Sequence, residues 1–261
     1  MGVFDAARAA YCGNRAYHAH VDAGKLANEG KVAQAREKYR AALGFYEEAV
    51  RLGNDSPNVL LAYAILLTRE GEFDRAGELM QRISRMKNLS EDDWFQLRVQ
   101  YSIYQWATGQ LDKAIETIGR AAAHKMNGNI YGTLGMYWVD KARQTGDFGP
   151  ALDFNRQAME YDDEDAATLD NMGQLYEAMA DAGDSPEGAG ECRAKALDYY
   201  RRAHEARPRQ ITTIYNLARM YHTAGDDDRA RKLLSVRDTL YFSAVCPVSR
   251  EMMEALAAEV G

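Results

Sequence analysis

The 261-residue sequence is short of proline, with five, and of cysteine, with three. So little proline leaves long stretches in which nothing interrupts a helix, and plentiful Ala, Glu, Arg and Leu favour one. The cysteines, Cys12, Cys192 and Cys246, are odd in number and scattered. They make no disulfide framework and fit a reducing compartment, so a cytoplasmic location is expected. No run approaches the roughly 20 apolar residues of a membrane span, and direct membrane insertion is not expected. The opening MGVFDAARAAYCGNR lacks the apolar core of a signal peptide. Ala6 stands where a myristoylation signal has Ser or Thr, and an anchor upstream of Met1 stays open. Positive charge is also in deficit: 32 Lys and Arg face 39 Asp and Glu, a formal charge of −7. That argues against nucleic acid, whose affinity rests on cations neutralising phosphates.

Catalytic and metal-binding motifs are missing as well. There is no Gly-rich phosphate loop, no H-E-x-x-H and no G-x-S-x-G. His18, His20, His124, His204 and His222 form no ligand pair at i, i+4; His18 and His20, two apart, point to different faces of a helix. The acids Asp162–Asp165, and those around Asp181 and Asp184, lack the spacing of a calcium loop and read as solvated. No histidine sits beside a cysteine to make it a nucleophile. The chain is expected to be no enzyme and to need no cofactor or metal.

What the sequence does contain is a six-fold pattern. A small residue is followed, some way on, by an alanine that opens the next apolar run. The small residues are Ala23, Ala64, Ser102, Gly135, Gly173 and Ala218; the alanines are Ala42, Ala76, Ala114, Ala151, Ala196 and Ala230. A period in the thirties means stacked helical hairpins. The clearest unit is 211–244. Ile214, Leu217, Ala218 and Tyr221 share one helical face, Gly225 breaks it, and Asp226–Asp228 can cap the helix carrying Ala230 and Leu234. The preceding unit ends on Ala196, Tyr200, Ala203 and Pro208. Its first helix carries Leu169, Met172, Gly173 and Tyr176, and a Gly/Pro tip, MADAGDSPEGAGE, lengthens the hairpin. Residues 57–90 form a regular unit with Pro57 in the first helical turn. Residues 95–128 form another that departs at Arg98 and Gln105. In the fourth, Asn155 replaces the expected aromatic and Phe154 is expected to take over its packing. In the first, 31–52 reads as one long helix. Ser249–Val260, with Met252, Met253, Leu256 and Ala257 on one stripe, reads as a capping helix.

These residues resemble the tetratricopeptide-repeat family, whose pattern is W-x2-L-G-x2-Y…A-x3-F, over roughly residues 16–244. The resemblance implies an all-α, right-handed α-solenoid of about six hairpins. The expected divisions are an N-terminal extension at 1–15 and a repeat array at 16–248, closed by a C-terminal cap at 249–261. The approximate repeats are 16–56, 57–90, 91–127, 128–165, 166–210 and 211–244. It also implies a protein–protein interaction module, an adaptor or scaffold that holds a peptide or helical segment in a groove lined by first helices. Carried over by phase, the N-terminal and middle groove holds Tyr17, His20, Asn58, Leu61, Ile65, Gln96, Val99, Gln100, Ile103 and Trp106. The C-terminal groove holds Asn129, Thr133, Met136, Asp170, Asn171, Gln174, Glu177, Tyr215, Asn216, Arg219 and His222.

Leu61, Ile65, Val99, Ile103 and Trp106 would then form an apolar strip for contact, and Asn171 and Asn216 would hold a peptide backbone. The family's clamp for chaperone C-termini needs lysines and an arginine where this chain has His20, Gly24, Ala62 and Gln100, so that ligand is not expected. Asp147–Glu191 carries thirteen acidic residues against Arg156 alone. Most of these read as solvated, with Asp170 and Glu177 placed to attract a basic segment. Two alternatives stay open: self-assembly into a homo-oligomer, and a regulator that senses a small peptide.

Overall fold

The computed structural model describes residues 3–183 and 188–261. Among the described residues it holds thirteen α-helices, one short 3-10 turn and no strand, an all-α fold as expected. The chain divides into two compact units, residues 1–109 with 239–245 and residues 110–238 with 246–261. The division falls between Gly109 and Gln110, inside the third expected repeat.

The N-terminal unit contains α1 (Val3–Asn28), α2 (Val32–Arg51), α3 (Pro57–Glu70), α4 (Phe73–Ser84) and α5 (Glu91–Ala107). The expected extension is, from Val3 onward, the first half of α1, and α2 is the long helix read from 31–52. α1 packs on α2 and α3 on α4, while α1, α3 and α5 pack in succession. Tyr39 and Tyr46 are fully buried, with Tyr46 stacked on Tyr63 at 5.4 Å between ring centroids. Burial of each such ring contributes about 2 kcal/mol. Pro57 begins α3, where its missing N–H costs no hydrogen bond. Ser90 and Asp93 exchange side-chain bonds with each other's backbone N–H and so fix the start of α5.

The C-terminal unit contains α6 (Leu111–His124), α7 (Gly128–Thr145), α8 (Gly149–Tyr161), α9 (Ala166–Ala182), α10 (Ala189–Ala206), α11 (Ile211–Thr223), α12 (Asp227–Leu234) and α13 (Arg250–Val260). Asn127, Asp165, Asp226 and Ser249 cap four of these helices through side-chain acceptors. α7, α9 and α11 pack side by side, each carrying its hairpin partner. The tip joining α9 to α10 includes 184–187, so the expected Gly/Pro turn and Asp184 lie outside the described residues. α13 closes the last hairpin with Met253, Leu256 and Val260 buried, while Met252 faces solvent.

All twelve residues of the six-fold pattern are buried. Where the small residue is glycine the need is steric. A Cβ on Gly135 would lie 2.4 Å from Asn155 Oδ1, and one on Gly173 would lie 2.6 Å from the Tyr200 ring. Asn155, fully buried, takes the packing position itself and donates to the carbonyls of Gly135 at 3.3 Å and Ala151 at 2.9 Å. Phe154 instead meets Tyr131, at 5.9 Å between centroids.

Candidate partner-binding faces

In the C-terminal unit, the face expected to be a polar groove is largely engaged with itself. Thr213 donates to Asp170 Oδ1 at 2.7 Å and Gln174 donates to Asp170 Oδ2 at 2.8 Å. Arg143 in turn donates to Gln174 at 3.0 Å. Burial pushes the Asp170 carboxyl above the usual carboxylate range, against the pull of bonds from Thr213, Gln174 and Thr212 and the charge of Arg143. Two turns beyond Asp170 along α9, Glu177 Oε2 accepts from Tyr200 at 3.0 Å and from Arg219 at 2.7 Å. Burial, then the neighbouring carboxylate charges, hold the Tyr200 phenol well above its ordinary pKa. Asn171 donates to the Gly132 carbonyl at 2.9 Å, and Asn216 is buried beside Thr213.

Thus Asp170, Asn171, Gln174, Glu177 and Arg219 tie α7, α9, α10 and α11 together. Asn171 already uses an amide donor on the protein's own backbone, and two carboxylates expected to draw a basic segment are buried. Asn129 is exposed, while Thr133, Met136, Tyr215 and His222 are half-buried on the same helices. His222 Nδ1 lies 2.7 Å from Asp227.

In the N-terminal unit the expected apolar strip is divided. Leu61 and Val99 are buried, whereas Ile65, Ile103 and Trp106 are half-buried. Leu61 packs in a cluster with Leu60, Met80, Ile83 and Leu97, and Ile65 lies against it. The phase error is small: Leu61 and Val99 sit on the edge of the stripe that α3 and α5 turn to their neighbours. Asn58 and Gln96 are exposed and Gln100 half-buried, and their amides make no hydrogen bond among the described residues. Tyr17 is 56% exposed. His20 is not a free groove residue: its ring meets Tyr39 at 5.8 Å and Tyr46 at 6.0 Å, edge-on. Burial, then the positive charge of Arg69, push its pKa down to about 4, so it is neutral at pH 7.

Two features escaped the sequence reading. Residues 239–245, between α12 and α13, belong to the N-terminal unit and dock there in irregular conformation. Tyr241 lies 5.0 Å from Tyr39, its hydroxyl donates to Glu70 at 2.5 Å, and the Ala244 N–H donates to the Arg69 carbonyl at 2.7 Å. No periodicity marks such a segment, because these partners are 171 or more residues away. In the C-terminal unit, a cleft of about 650 Å³ has an apolar floor of Leu217, Tyr221 and Leu233. Arg201, Arg209, Arg229 and Lys232 stand around it.

Among the described residues no group of His, Cys, Asp and Glu is arranged to hold a metal ion. No helix among them is long and apolar enough to cross a membrane. Burial raises the Cys246 thiol above its ordinary pKa, which weakens it as a nucleophile.

The tetratricopeptide-repeat family profile matches residues 33–101. No curated protein matches the chain's sequence. Several solved structures share the fold at low identity. A thermophilic tetratricopeptide-repeat protein of Thermus thermophilus is 17% identical with a TM-score of 0.50, over 64% of this chain and 80% of that one. Human IFIT1, solved as a dimer with PPP-AAAA, is 18% identical with a TM-score of 0.58, over 79% of this chain and 48% of that one. A chain of the APC/C hetero-tetramer Cut9-Hcn1 is 16% identical with a TM-score of 0.56, over 95% of this chain and 46% of that one. The chain spans about half the length of these last two.

Proposed function

Because this chain is a tetratricopeptide-repeat protein, with a fold that generally serves protein–protein interaction and is generally non-catalytic, we propose that it is an adaptor binding an extended or helical peptide. The site is the first-helix face of α3 and α5. One observation carries the reading: the Asn58, Gln96 and Gln100 amides make no hydrogen bond to the described residues and share their helix face with half-buried Ile65 and Ile103, while Asn171, Gln174 and Arg219 of the C-terminal unit are bonded within the protein. An unpaired amide offers both donor and acceptor to a peptide backbone, and the aliphatic groups give the peptide's side chains somewhere to bury. The partner is a protein or peptide, and the proposed setting is the cytoplasm. Selecting a peptide from a displayed library, then titrating it against variants, tests this. Gln96→Ala with Ile103→Ser should weaken binding by about ten-fold or more. Selected peptides that bind this variant as well as the wild type place recognition elsewhere and end the reading.

A second reading, self-assembly, draws on α1. Phe4 is 91% exposed and Tyr11, two turns on, is 56% exposed at the edge of a cavity lined by Cys12 and Phe45. Exposed aromatics on α1 are suited to packing on a second copy. Light scattering of Phe4→Ser with Tyr11→Ser checks it: a wild-type oligomer that the variant dissociates supports it, and a monomeric wild type ends it.

A further inference from the structure

We propose that the face formed by Tyr39, Arg69 and Glu70 is a binding site for an extended, tyrosine-bearing peptide, and that residues 239–245 are its tethered resident ligand. The site differs from the α3–α5 amide face, and the inference does not rest on that reading.

The resident segment is held as a peptide ligand is held. After Thr239, the last residue of the short 3-10 turn, it has neither helix nor strand, and within it Ala244 stays exposed. Beside the burial of Leu240, 2% exposed, three kinds of recognition hold it. The Arg69 carbonyl, in the last turn of α3, has no acceptor role to fill within the helix and takes the Ala244 N–H at 2.7 Å. Glu70 Oε1 takes the Tyr241 hydroxyl at 2.5 Å. The Arg69 guanidinium lies over both the Tyr39 ring, at 5.4 Å, and the Tyr241 ring, at 5.8 Å, a cation facing two aromatic faces. Gly71 completes the seat. At φ +85° it turns the chain sharply after α3, and a Cβ built there would stand 3.4 Å from the Ala244 Cβ, so the two backbones meet with only small groups between them.

Each element reads a feature that a peptide in trans can supply: a backbone N–H, a phenol hydroxyl and an aromatic face three residues before that N–H. None requires the segment to come from the same chain. The specificity is for tyrosine over phenylalanine, because Glu70 has a hydroxyl to accept from, and for a small residue where Ala244 meets Gly71.

The tether sets the affinity an outside peptide experiences. A segment joined at both ends is present at an effective concentration in the millimolar range. If it fills the site 90–99% of the time, an outside peptide's apparent dissociation constant rises roughly 10- to 100-fold. The wild-type chain is therefore a weak binder that becomes a strong one once its own tyrosine is lost.

The test is fluorescence anisotropy with a labelled peptide of residues 238–248 carrying Cys246→Ser, titrated with the full chain. The wild type is expected to bind weakly. The Tyr241→Ala chain should bind at least about ten-fold more tightly, and the Tyr241→Phe chain, which loses only the bond to Glu70, should fall between them. Adding Arg69→Ala to the Tyr241→Ala chain should remove binding, and a peptide whose tyrosine is replaced by alanine should not bind. Asn58→Ala and Gln96→Ala should leave these affinities unchanged, so the outcome is separate from that of the amide face. Equal binding by wild type and Tyr241→Phe, or none by either Tyr241 variant with its melting curve intact, overturns the proposal. If Tyr241→Ala does not fold, the Tyr241→Phe comparison decides alone.

Discussion

Gly173 packs so closely on the Tyr200 ring that no side chain fits at position 173 while the ring stays where it is. A Cβ on Gly173 would stand 2.6 Å from Tyr200 Cε1 and 2.7 Å from Cδ1. The ring has nowhere to go: it is fully buried, and its hydroxyl is bonded to Glu177. Gly173→Ala should therefore destabilise the protein by about 1–3 kcal/mol, although alanine is the better helix former. Gly119, inside α6, provides the contrast, since nothing lies within 4 Å of a Cβ built there. Gly119→Ala should add up to about 1 kcal/mol. Urea denaturation of the two variants checks both signs; destabilisation by Gly119→Ala as large as that by Gly173→Ala would contradict the steric account.

Glu177 accepts from two groups of unequal burial. Arg219 keeps 38% of its side chain in solvent, whereas Tyr200 keeps none. Removing the carboxylate in Glu177→Ala leaves the phenol hydroxyl buried without its acceptor and the guanidinium without its ion partner, a loss of about 1–3 kcal/mol. Tyr200→Phe removes one donor and leaves the ion pair in place, so it should cost less, about 1 kcal/mol. A double-mutant cycle between positions 177 and 219 should give a coupling of at least about 0.5 kcal/mol. Zero coupling would mean that the pair contributes nothing to stability.

His20 should make the N-terminal unit sensitive to acid. Its folded pKa, about 4, lies below the ordinary 6.5, so the unfolded chain binds the proton more readily between those values. The contribution is complete above pH 6.5 and is lost as pH falls from 6.5 to 4, by about 3 kcal/mol at full effect. His20→Gln should flatten the melting temperature against pH across that window. An unchanged acid limb would show that some other group sets it.

The fold was legible in the sequence because its signal is steric and repeated. Ala42, Ala76, Ala114, Ala151, Ala196 and Ala230 are each fully buried, where a larger side chain would overpack. The same logic misled at Asn155. A polar residue in an aromatic's place suggested that Phe154 had taken over, yet Asn155 is the buried one because glycine at 135 brings a carbonyl within its reach. Phase alone could not say which groove side chains are free. Asn171 and Asn58 stand on comparable faces of first helices, and only the positions of the Gly132 and Gly135 backbone decide that Asn171 is held. Tyr241 was out of reach altogether, since a segment without periodicity announces no partner, least of all one 171 residues earlier.

Asp170 should act on stability with the sign opposite to that of His20. Burial raises its folded pKa above the unfolded value near 3.8, so the folded chain keeps the proton longer. Its contribution is complete below the unfolded pKa and is lost as pH rises through the folded one. Two of the groups around it, Thr213 and Gln174, are neutral donors, which soften this loss without cancelling it. Asp170→Asn keeps an oxygen for Thr213 but has no charge to bury. The variant should therefore gain stability relative to wild type as pH is raised from 4 to 7, even if it is the less stable of the two at pH 4. Chemical denaturation at a series of pH values reads the difference directly. A gap between the two proteins that stays constant with pH would mean that Asp170 titrates alike in the folded and unfolded chains, and that the bonds from Thr213 and Gln174 fully offset its burial.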